Sequence, residues 1–515
     1  MLKWDDNHYP INNGRLIEGL LESNETLETI IKETQNLFAE IRQPVRPKSG
    51  SRSRTLLERL WAPISEEFVA EDVTEIGFQA DGHNIYPAWK DELDRQYDRL
   101  QEVAPRFVPV TNFGARGDGK TDSTEAFQKA FGTGGRRIYV PEGVYIVRGL
   151  KLPSWTRLVG AGKGKTIIRL HDGAPRRRTL LTNNNPLTGN RNISVESLTL
   201  DWNMERLDAN KKSASGNNLS SCLTFMKVMY GWVKDVEALN PGLHCFDISS
   251  TFYSYAGDGT KAKGGSSYVW LDRVTGSGFG DDGVTTHHSD HIFISNSHFC
   301  DPGGRSHKRG FSNSNGFEID DGSRHVWLAN NSSSRCFGGV EIKAHATSSA
   351  AAGVHISGHL SVNDNRAFNF RHIGHHQPGD AESLSAYNIT AQRLVAIHPI
   401  RTELYQESSP RALVVSGYRN VAINQFLFAG DPNYDYRGQT AASIQFRAGN
   451  VALANGRIQG FKNAATDISV SSGEKNVRNV LVRNVYSYNS ATELIRLGAD
   501  DSTIKLEQMV KAERA

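Results

Sequence analysis

Short apolar segments recur along the chain after residue 106, and each alternates apolar and polar positions with the period of a β-strand. From Val269 onward their first core residues stand at 269, 292, 326, 354, 389, 421, 451 and 480, so the steps are 23, 34, 28, 35, 32, 30 and 29 residues. A unit this short cannot bury its own apolar side chains, so such repeats stack into one continuous core. The pattern predicts an all-β chain folded as a parallel β-helix. Polar residues that follow the apolar pairs predict an internal ladder of Asn296, Asn330, Gln392 and Asn424.

The N-terminal region follows a helical pattern instead. Apolar positions from Ile17 to Ile41 are separated by steps of three and four residues, which predicts one helix over 12–42 with a heptad seam. This helix packs either on its own chain or in an oligomeric coiled coil, and the pattern leaves both open. The expected organisation is an N-terminal helix and linker for oligomerisation or virion attachment over 1–54, a helical connecting segment over 55–105, the β-helix over 106–490 and a tail over 491–515.

Composition excludes several classes of protein. The 515 residues include 59 basic and 56 acidic side chains, and this balance offers no broad attraction to nucleic acid. No run approaches the roughly 18 apolar residues of a membrane span. The first residues, MLKWDDNHYPINNGRL, lack the apolar centre of a secretory signal. Four cysteines without C-x-x-C spacing predict free thiols.

Residues 114–121 satisfy the nucleotide-loop pattern G-x-x-x-x-G-K-[ST]. Asp118 lies inside this loop, where its carboxylate would repel a phosphate, and no alternating βαβ series follows. Asp122 and Glu125 indicate instead a capping box for a helix of about ten residues. We therefore predict that Lys120 does not bind nucleotide.

The same stretch resembles the entry segment of the pectate-lyase-like β-helix superfamily. The resemblance rests on GARGDGKTDSTEAF (114–127), VPEGVYIV (140–147) and LVGAGKGKTIIRL (158–170). It covers roughly 106–490 and implies a right-handed, single-stranded parallel β-helix.

The segment 268–299, which contains GDDG at 280–283, further resembles the polygalacturonase branch of that superfamily. That branch carries "GDD-C", "GHG" and "RIK" motifs on successive coils. Here NGFEIDDGS (315–323) replaces the second motif, and of the third only Lys343 remains. The resemblance makes Asp281 and Asp282 candidates for acid and base.

The densest polar cluster lies between residues 280 and 376. The segments GVTTHHS (283–289), GFEIDDG (316–322) and GVEIKAH (339–345) align on their glycines, and AFNFRHI (367–373) aligns through Phe368. Alternation would place their polar side chains together on one exposed sheet face, about 4.8 Å apart from coil to coil. Carboxylates that lie this close together raise one another's pKa, which prepares one of them as a general acid. The predicted catalytic residues are Asp281, Asp282, Glu318, Asp320 and Glu341, and the predicted substrate-binding residues are His287, Lys343, Arg371 and His372.

Paired carboxyl groups on this fold predict a glycoside hydrolase. The helical N-terminus beside a β-helix resembles a phage tailspike or neck appendage, and this resemblance implies that the polymer it depolymerises is a bacterial surface or extracellular one. This implies a homotrimer that contacts virion tail or neck proteins, acts outside the cell as part of the virion, and is present in the host cytoplasm during assembly. A lyase on the same fold, a non-catalytic receptor-binding protein and a bacterial enzyme stay open, as does the polymer: capsule, exopolysaccharide, O-antigen or teichoic acid. We expect no metal and no cofactor, with a divalent cation such as calcium as the alternative.

Overall fold

Two long sheets of parallel strands wind around one core in this computed structural model. It describes residues 8–44, 64–67, 78–82, 84–214, 219–253, 257–377, 379–471, 477–498 and 503–512. The chain passes from one sheet to the other along the coils, and successive coils pair in parallel. The predicted parallel β-helix is therefore confirmed.

The larger sheet contains 19 strands within the described ranges. They are Phe107–Pro109, Asp118–Asp122, Arg136–Val140, Gly143–Val147, Thr156–Gly160, Thr166–Leu170, Asn190–Asp201, Val228–Leu239, Ser267–Asp272, Thr275–Ser277, Asp290–Ser295, His298–Cys300, Arg324–Ser334, Ala352–Val362, Tyr387–Ile397, Arg419–Ala429, Gly449–Gln459, Arg478–Tyr488 and Ile504–Ala512.

The second sheet contains 12 described strands. They are Leu150–Leu152, Leu181–Asn183, Leu223–Met226, Phe246–Ser249, Val284–Thr286, Asn315–Ile319, Gly338–Ala344, Arg366–His372, Arg411–Ser416, Thr440–Gln445, Thr466–Val470 and Glu493–Leu497. Single-turn 3-10 helices occur at Pro10–Asn12, Val110–Phe113, Met204–Arg206 and Ile373–His375.

Apolar side chains stack inside the coil in register. Phe246, Val284, Phe317, Val340 and Phe368 are successive partners across five strands of the second sheet, and each is fully buried. Burying one such side chain stabilises the fold by roughly 1.5–3 kcal/mol. The same alternation that predicts an outward polar face predicts inward side chains at Val284, Phe317, Val340 and Phe368, and their burial confirms this.

The β-helix continues past its predicted end at residue 490. Glu493–Leu497 pairs with the strand Thr466–Val470, and Ile504–Ala512 pairs with Arg478–Tyr488. The prediction of a separate tail over 491–515 is therefore wrong for these two segments, which add to both sheets.

The N-terminal region forms two helices, α1 (Asn13–Leu21) and α2 (Leu27–Ile41), rather than the single helix predicted over 12–42. Glu22 adopts a left-handed conformation with φ 54°, which ends α1. Thr26 is the N-cap of α2, since its hydroxyl accepts a hydrogen bond from the backbone N–H of Thr29 at 3.2 Å.

The heptad residues pack on the outer face of the larger sheet. Ile17 contacts a cluster of Leu360, Val362, Val395 and Leu427, and Ile31 contacts Phe293 and Trp327. The seam residue Thr34 accepts a hydrogen bond from Asn424 Nδ2 at 3.1 Å. The seam residues Ile17, Ile31, Thr34 and Phe38 are buried against their own chain, whereas Leu20 and Asn24 are exposed. Of the two alternatives, packing on the chain itself is the one observed.

The connecting segment is only partly helical. Helix α3 (Lys90–Val103) confirms the prediction there, whereas Phe78–Asp81 and Asn84–Pro87 form an antiparallel hairpin, and Ser65–Glu67 pairs with Thr260–Ala262. Most of the predicted linker over 43–54 lies outside the described residues. No helix among the described ranges has the length and apolar character to span a membrane. All four cysteines are free.

The nucleotide-loop pattern folds into a strand and a turn. Asp118 Oδ1 accepts hydrogen bonds from the backbone N–H groups of Lys120 and Thr121 at 2.9 and 2.8 Å, so its carboxylate occupies the donors that a phosphate would need. Helix α4 (Thr124–Phe131) follows. The predicted capping box is wrong, because Asp122 bonds the N–H of Thr124 and Glu125 pairs with Lys129 at 2.7 Å.

Asparagine ladders do run along the coil, but they include only Asn424 of the predicted residues. In the first ladder Asn479 donates to Asn450, Asn450 to Asn420 and Asn420 to Asn388, at 2.9–3.0 Å. All four have positive φ, a conformation that asparagine tolerates better than most residues. Of the predicted set, Asn424 joins a second ladder with Asn455 and Asn484.

Candidate active site

The predicted polar residues meet on the outward row of five adjacent strands in the second sheet. The register aligns Asp247, Thr285, Glu318, Glu341 and Asn369 as successive partners. A neighbouring row places Lys343 opposite Arg371. The predicted side-by-side arrangement is confirmed.

The predicted exposure of this face is wrong. Glu318 is 3% exposed, Asp320 6% and Glu341 0%. Two loops approach the row: the ring of Tyr253 lies 5.0 Å from that of His287, and His307 hydrogen-bonds to Asp281. Burial of this many charges requires that they pair with one another.

Glu318 is held as a carboxylate by three neighbours. Its Oε1 lies 2.6 Å from Lys343 Nζ and accepts from Asn315 Nδ2 at 3.2 Å, and its Oε2 accepts from Thr285 Oγ1 at 2.8 Å. Burial alone would raise the pKa of Glu318, but the charges of Lys343 and His287 lower it below its ordinary value. Glu318 is therefore ionised.

Asp320 has the opposite character. Burial, followed by the charge of Asp321, raises the pKa of Asp320 well above its ordinary value. Its Oδ2 lies 3.8 Å from both Lys343 Nζ and His287 Nε2, and its buried Oδ1 makes no hydrogen bond to a described residue. The pKa of Asp320 is thus shifted in the opposite direction to that of Glu318, two residues away on the chain.

Two cations offset the carboxylates. His287 Nδ1 lies 3.3 Å from Asp247 Oδ1; although burial lowers its pKa, the Asp247 contact and charge outweigh this and raise it to about 9. Burial likewise lowers the pKa of Lys343, but Glu318 and Asp320 raise it well above its ordinary value. Both side chains are protonated at neutral pH.

The GDD turn places two carboxyl groups at the edge of the row. Asp282 Oδ1 accepts from Asn315 N and Nδ2 at 2.9 and 3.0 Å, and burial and the charge of Asp281 raise the pKa of Asp282. Asp281 Oδ1 lies 2.7 Å from His307 Nε2. Burial would raise the pKa of Asp281, but the His307 hydrogen bond and charge lower it.

Glu341 and Arg371 form the other edge of the row. Arg371 Nε donates to Glu341 Oε1 at 2.5 Å. Glu341 Oε2 and both polar side-chain atoms of the adjacent Asn369 are buried, without hydrogen bonds to described residues. Polar atoms left in this way are free to bind a substrate hydroxyl or a water molecule.

The structure does not bring His372 to the row. It follows Arg371 and so faces the other side of the strand. Its Nδ1 lies 2.8 Å from Ser383 Oγ and its Nε2 3.0 Å from Ser348 O. Contact of His372 with substrate stays a prediction. The contacts of both its ring nitrogens with Ser383 and Ser348 do not support it.

Several residues of the site were missed from sequence: Asp247, His244, Asn315 and His307. HCFDIS (244–249) carries the same alternation as the aligned segments, but residues 250–266 lengthen the step to the next one and hide it. His307 lies in the loop between the strands His298–Cys300 and Asn315–Ile319, where no periodic pattern marks it.

Three described groups bring together side chains of the kind that bind metal ions: Asp258–His372–His375, His244–Asp281–Asp282 and His287–Glu318–Asp320. In each group one ligand atom per residue lies within 4.8 Å of the others. The third group surrounds Lys343 and the protonated His287, so a metal cation would be repelled there.

Comparison with known proteins identifies the family of the chain. Residues 107–341 match the family described as rhamnogalacturonase A/epimerase, pectate lyase-like. The crystal structure of the N-terminal fragment of Bacillus phage phi29 gene product 12 is 40% identical with a TM-score of 0.74, covering 82% of this chain and 69% of that one. The chain belongs to the pectate-lyase-like β-helix family.

Two curated relatives of this family extend the comparison. The pre-neck appendage protein of phage phi29 is 41% identical over 432 residues, which is 81% of this chain and 49% of the relative. The phage-related protein YobO of Bacillus subtilis strain 168 is 47% identical over 427 residues, 83% of this chain and 52% of the relative. The chain spans about half the length of the curated relatives it matches.

Proposed function

We propose that this protein is a virion appendage that hydrolyses a bacterial surface or extracellular polysaccharide through its row of carboxyl groups. The observation that carries the proposal is a buried pair of carboxyl groups, Glu318 and Asp320, which lie 2.6 and 3.8 Å from Lys343 Nζ and whose surroundings shift their pKa values in opposite directions. Pairs of carboxyl groups whose environments separate their pKa values are the usual basis of glycosidic acid–base catalysis.

In this proposal Asp320 donates its proton to the glycosidic oxygen as the bond from that oxygen to the anomeric carbon breaks. The ionised Glu318 stabilises the positive charge that develops on that carbon. Water then adds its hydroxyl to the anomeric carbon and returns its proton to the Asp320 carboxylate. Lys343 and Arg371 contact the polymer at the partly open side of the row, where their side chains are 13% and 20% exposed.

Hydrolysis is favoured over elimination by the state of the basic side chains. A lyase removes a carbon-bound proton, and a Lys or His side chain can accept that proton only in its unprotonated form. Lys343 and His287 are both protonated, because the surrounding carboxylates raise the pKa of each. Neither serves as that base at neutral pH.

A non-catalytic receptor-binding protein is the second candidate. It is favoured by the burial of Glu318 and Glu341 and by their close pairing with Lys343 and Arg371. In that case the charges only stabilise the sheet, and the appendage binds polymer without cleaving it.

The test is incubation with purified polymers of the host surface, including capsule, exopolysaccharide and teichoic acid, followed by mass spectrometry of the products. The proposal predicts fragments that have gained one water per broken bond. Fragments with an unsaturated terminal sugar would indicate a lyase. Intact polymer in every case would support the receptor-binding candidate.

The assembly is a proposal as well. The phage relatives are pre-neck appendage proteins, and we propose that this chain also attaches to the neck or tail of a virion, as a homotrimer. Because Ile17, Ile31 and Phe38 of the heptad pattern are buried against the β-helix, we propose that the trimer forms mainly through other surfaces. Light scattering on the intact chain should give three times the chain mass, and a monomeric mass at micromolar concentration would contradict this.

A further inference from the structure

Three side chains meet at the GDD turn, and the hydrolysis proposed for Glu318 and Asp320 gives none of them a role. One ligand atom each of His244, Asp281 and Asp282 lies within 4.8 Å of the others. His244 Nδ1 is 3.4 Å from Asp282 Oδ2. These atoms are close enough to share one ion, since metal–ligand bonds to nitrogen and oxygen measure about 2.0–2.2 Å.

The imidazole of His244 is the feature that most needs a partner. The residue is 3% exposed, and its buried Nδ1 makes no hydrogen bond to any residue in the described part of the chain. A buried polar atom that makes no hydrogen bond destabilises the fold, and a bound ion would remove that penalty.

The two carboxylates are held from behind by other side chains. Asn315 donates twice to Asp282 Oδ1, which leaves Oδ2 directed toward His244. His307 lies 2.7 Å from Asp281 Oδ1. Supporting hydrogen bonds of this kind orient the ligands in metal sites.

We propose that His244, Asp281 and Asp282 form a binding site for one divalent transition-metal ion, of the class of Zn²⁺ or Mn²⁺. Asp281 and Asp282 would supply two oxygen ligands, deprotonated as metal binding requires, and His244 would supply one nitrogen ligand. The nitrogen ligand favours these ions over Ca²⁺, which takes oxygen ligands. Three protein ligands leave coordination positions open, and the side chain of Asp281 is 17% exposed, so solvent reaches the site at this residue.

The cluster of Asp258, His372 and His375 does not offer an equal alternative. Both ring nitrogens of His372 are engaged, with Ser383 and Ser348. Asp258 Oδ2 accepts from the backbone N–H of Leu384 at 2.5 Å, and its Oδ1 accepts from Ser385. This cluster therefore provides a matched control for the proposed site.

The proposal is tested on the intact protein after chelation and dialysis. Calorimetric titration with Zn²⁺, and separately with Mn²⁺, should show saturable binding of about one equivalent for at least one ion, with a rise in the thermal midpoint. His244→Gln and Asp281→Asn should each weaken binding by more than tenfold. His307→Gln should weaken it by roughly 10- to 100-fold, the usual effect of losing a residue that orients a ligand.

Asp258→Asn should bind the same ion with wild-type affinity. Circular dichroism establishes that each variant is folded, and Asp281→Asn decides the matter if His244→Gln does not fold. Absence of saturable binding of both ions to the wild-type protein would overturn the proposal. Unchanged affinity in Asp281→Asn would overturn it as well. No substrate enters these measurements, so their outcome is independent of whether the protein cleaves a polymer.

Discussion

The two outer faces of the β-helix share one backbone geometry but are covered in different ways. On the larger sheet, Leu360, Val395 and Leu427 stand on successive coils and pack under Ile17 of helix α1. On the second sheet, Glu318 and Glu341 occupy equivalent neighbouring positions and pair with Lys343 and Arg371. The strand register is therefore the same on both faces, and the residue types at the outward positions decide whether a face binds a helix or forms a cluster of ion pairs.

The difference has a physical consequence for how each face responds to substitution. An apolar face loses stability in proportion to the area and cavity volume removed. A buried ionic face is balanced pair by pair, so removal of one partner leaves an uncompensated charge. Single substitutions should therefore separate the two faces.

The largest effect is expected for Glu318→Gln. This variant leaves Lys343 buried without its 2.6 Å partner and should lower stability by about 3–5 kcal/mol. The double variant Glu318→Gln with Lys343→Met should recover most of that loss, because it removes both charges, yet should stay inactive on polymer. Thermal and denaturant unfolding measure the stability of both variants. Equal destabilisation of the single and double variants would contradict the expected recovery.

The next effect concerns pH. The folded-state pKa of His287 is raised from 6.5 to about 9, so its contribution to stability is fully present below pH 6.5 and is lost as pH rises toward 9. The shift corresponds to a stabilisation on the order of 3 kcal/mol, since one pKa unit is about 1.4 kcal/mol. The difference in unfolding free energy between wild type and His287→Gln should be large at pH 6 and small at pH 9. If this free-energy difference stays constant from pH 6 to pH 9, protonated His287 does not stabilise the fold.

A smaller effect is expected on the helix-covered face. Ile17→Ala removes a fully buried side chain and should cost about 2 kcal/mol, at the lower end for such substitutions because the neighbouring Leu21 and Ile397 are only partly buried. Activity on polymer should not change, since α1 covers the other sheet. A loss of activity in a folded Ile17→Ala variant would show that the two faces are coupled.

No effect is expected for Lys120→Ala. The backbone donors of its loop already bind Asp118, and Lys120 itself is exposed. The protein should not bind ATP or GTP in a fluorescence titration, with or without this substitution. Tight nucleotide binding that the substitution abolishes would overturn this interpretation of the loop.

The fold could be predicted from sequence because its signal is periodic. The spacing of apolar segments indicates stacked coils, and alternation places Glu318 beside Glu341. Burial of that row could not be predicted, because it depends on loops whose course follows no local pattern, such as the one that carries His307. The end of helix α1 before Glu22 could not be predicted either, because the spacing of apolar residues continues past Glu22 although the helical backbone conformation ends there.

The most direct test of the catalytic row compares Asp320→Asn with Asp98→Asn, a matched change on the exposed face of α3. Both should keep the wild-type thermal midpoint to within a few degrees, and Asp98→Asn should keep full turnover on the host polymer. Asp320→Asn should lower turnover by roughly 10²-fold or more, the scale of a lost general acid. A folded Asp320→Asn variant that releases products at the wild-type rate would show that Asp320 is not the proton donor.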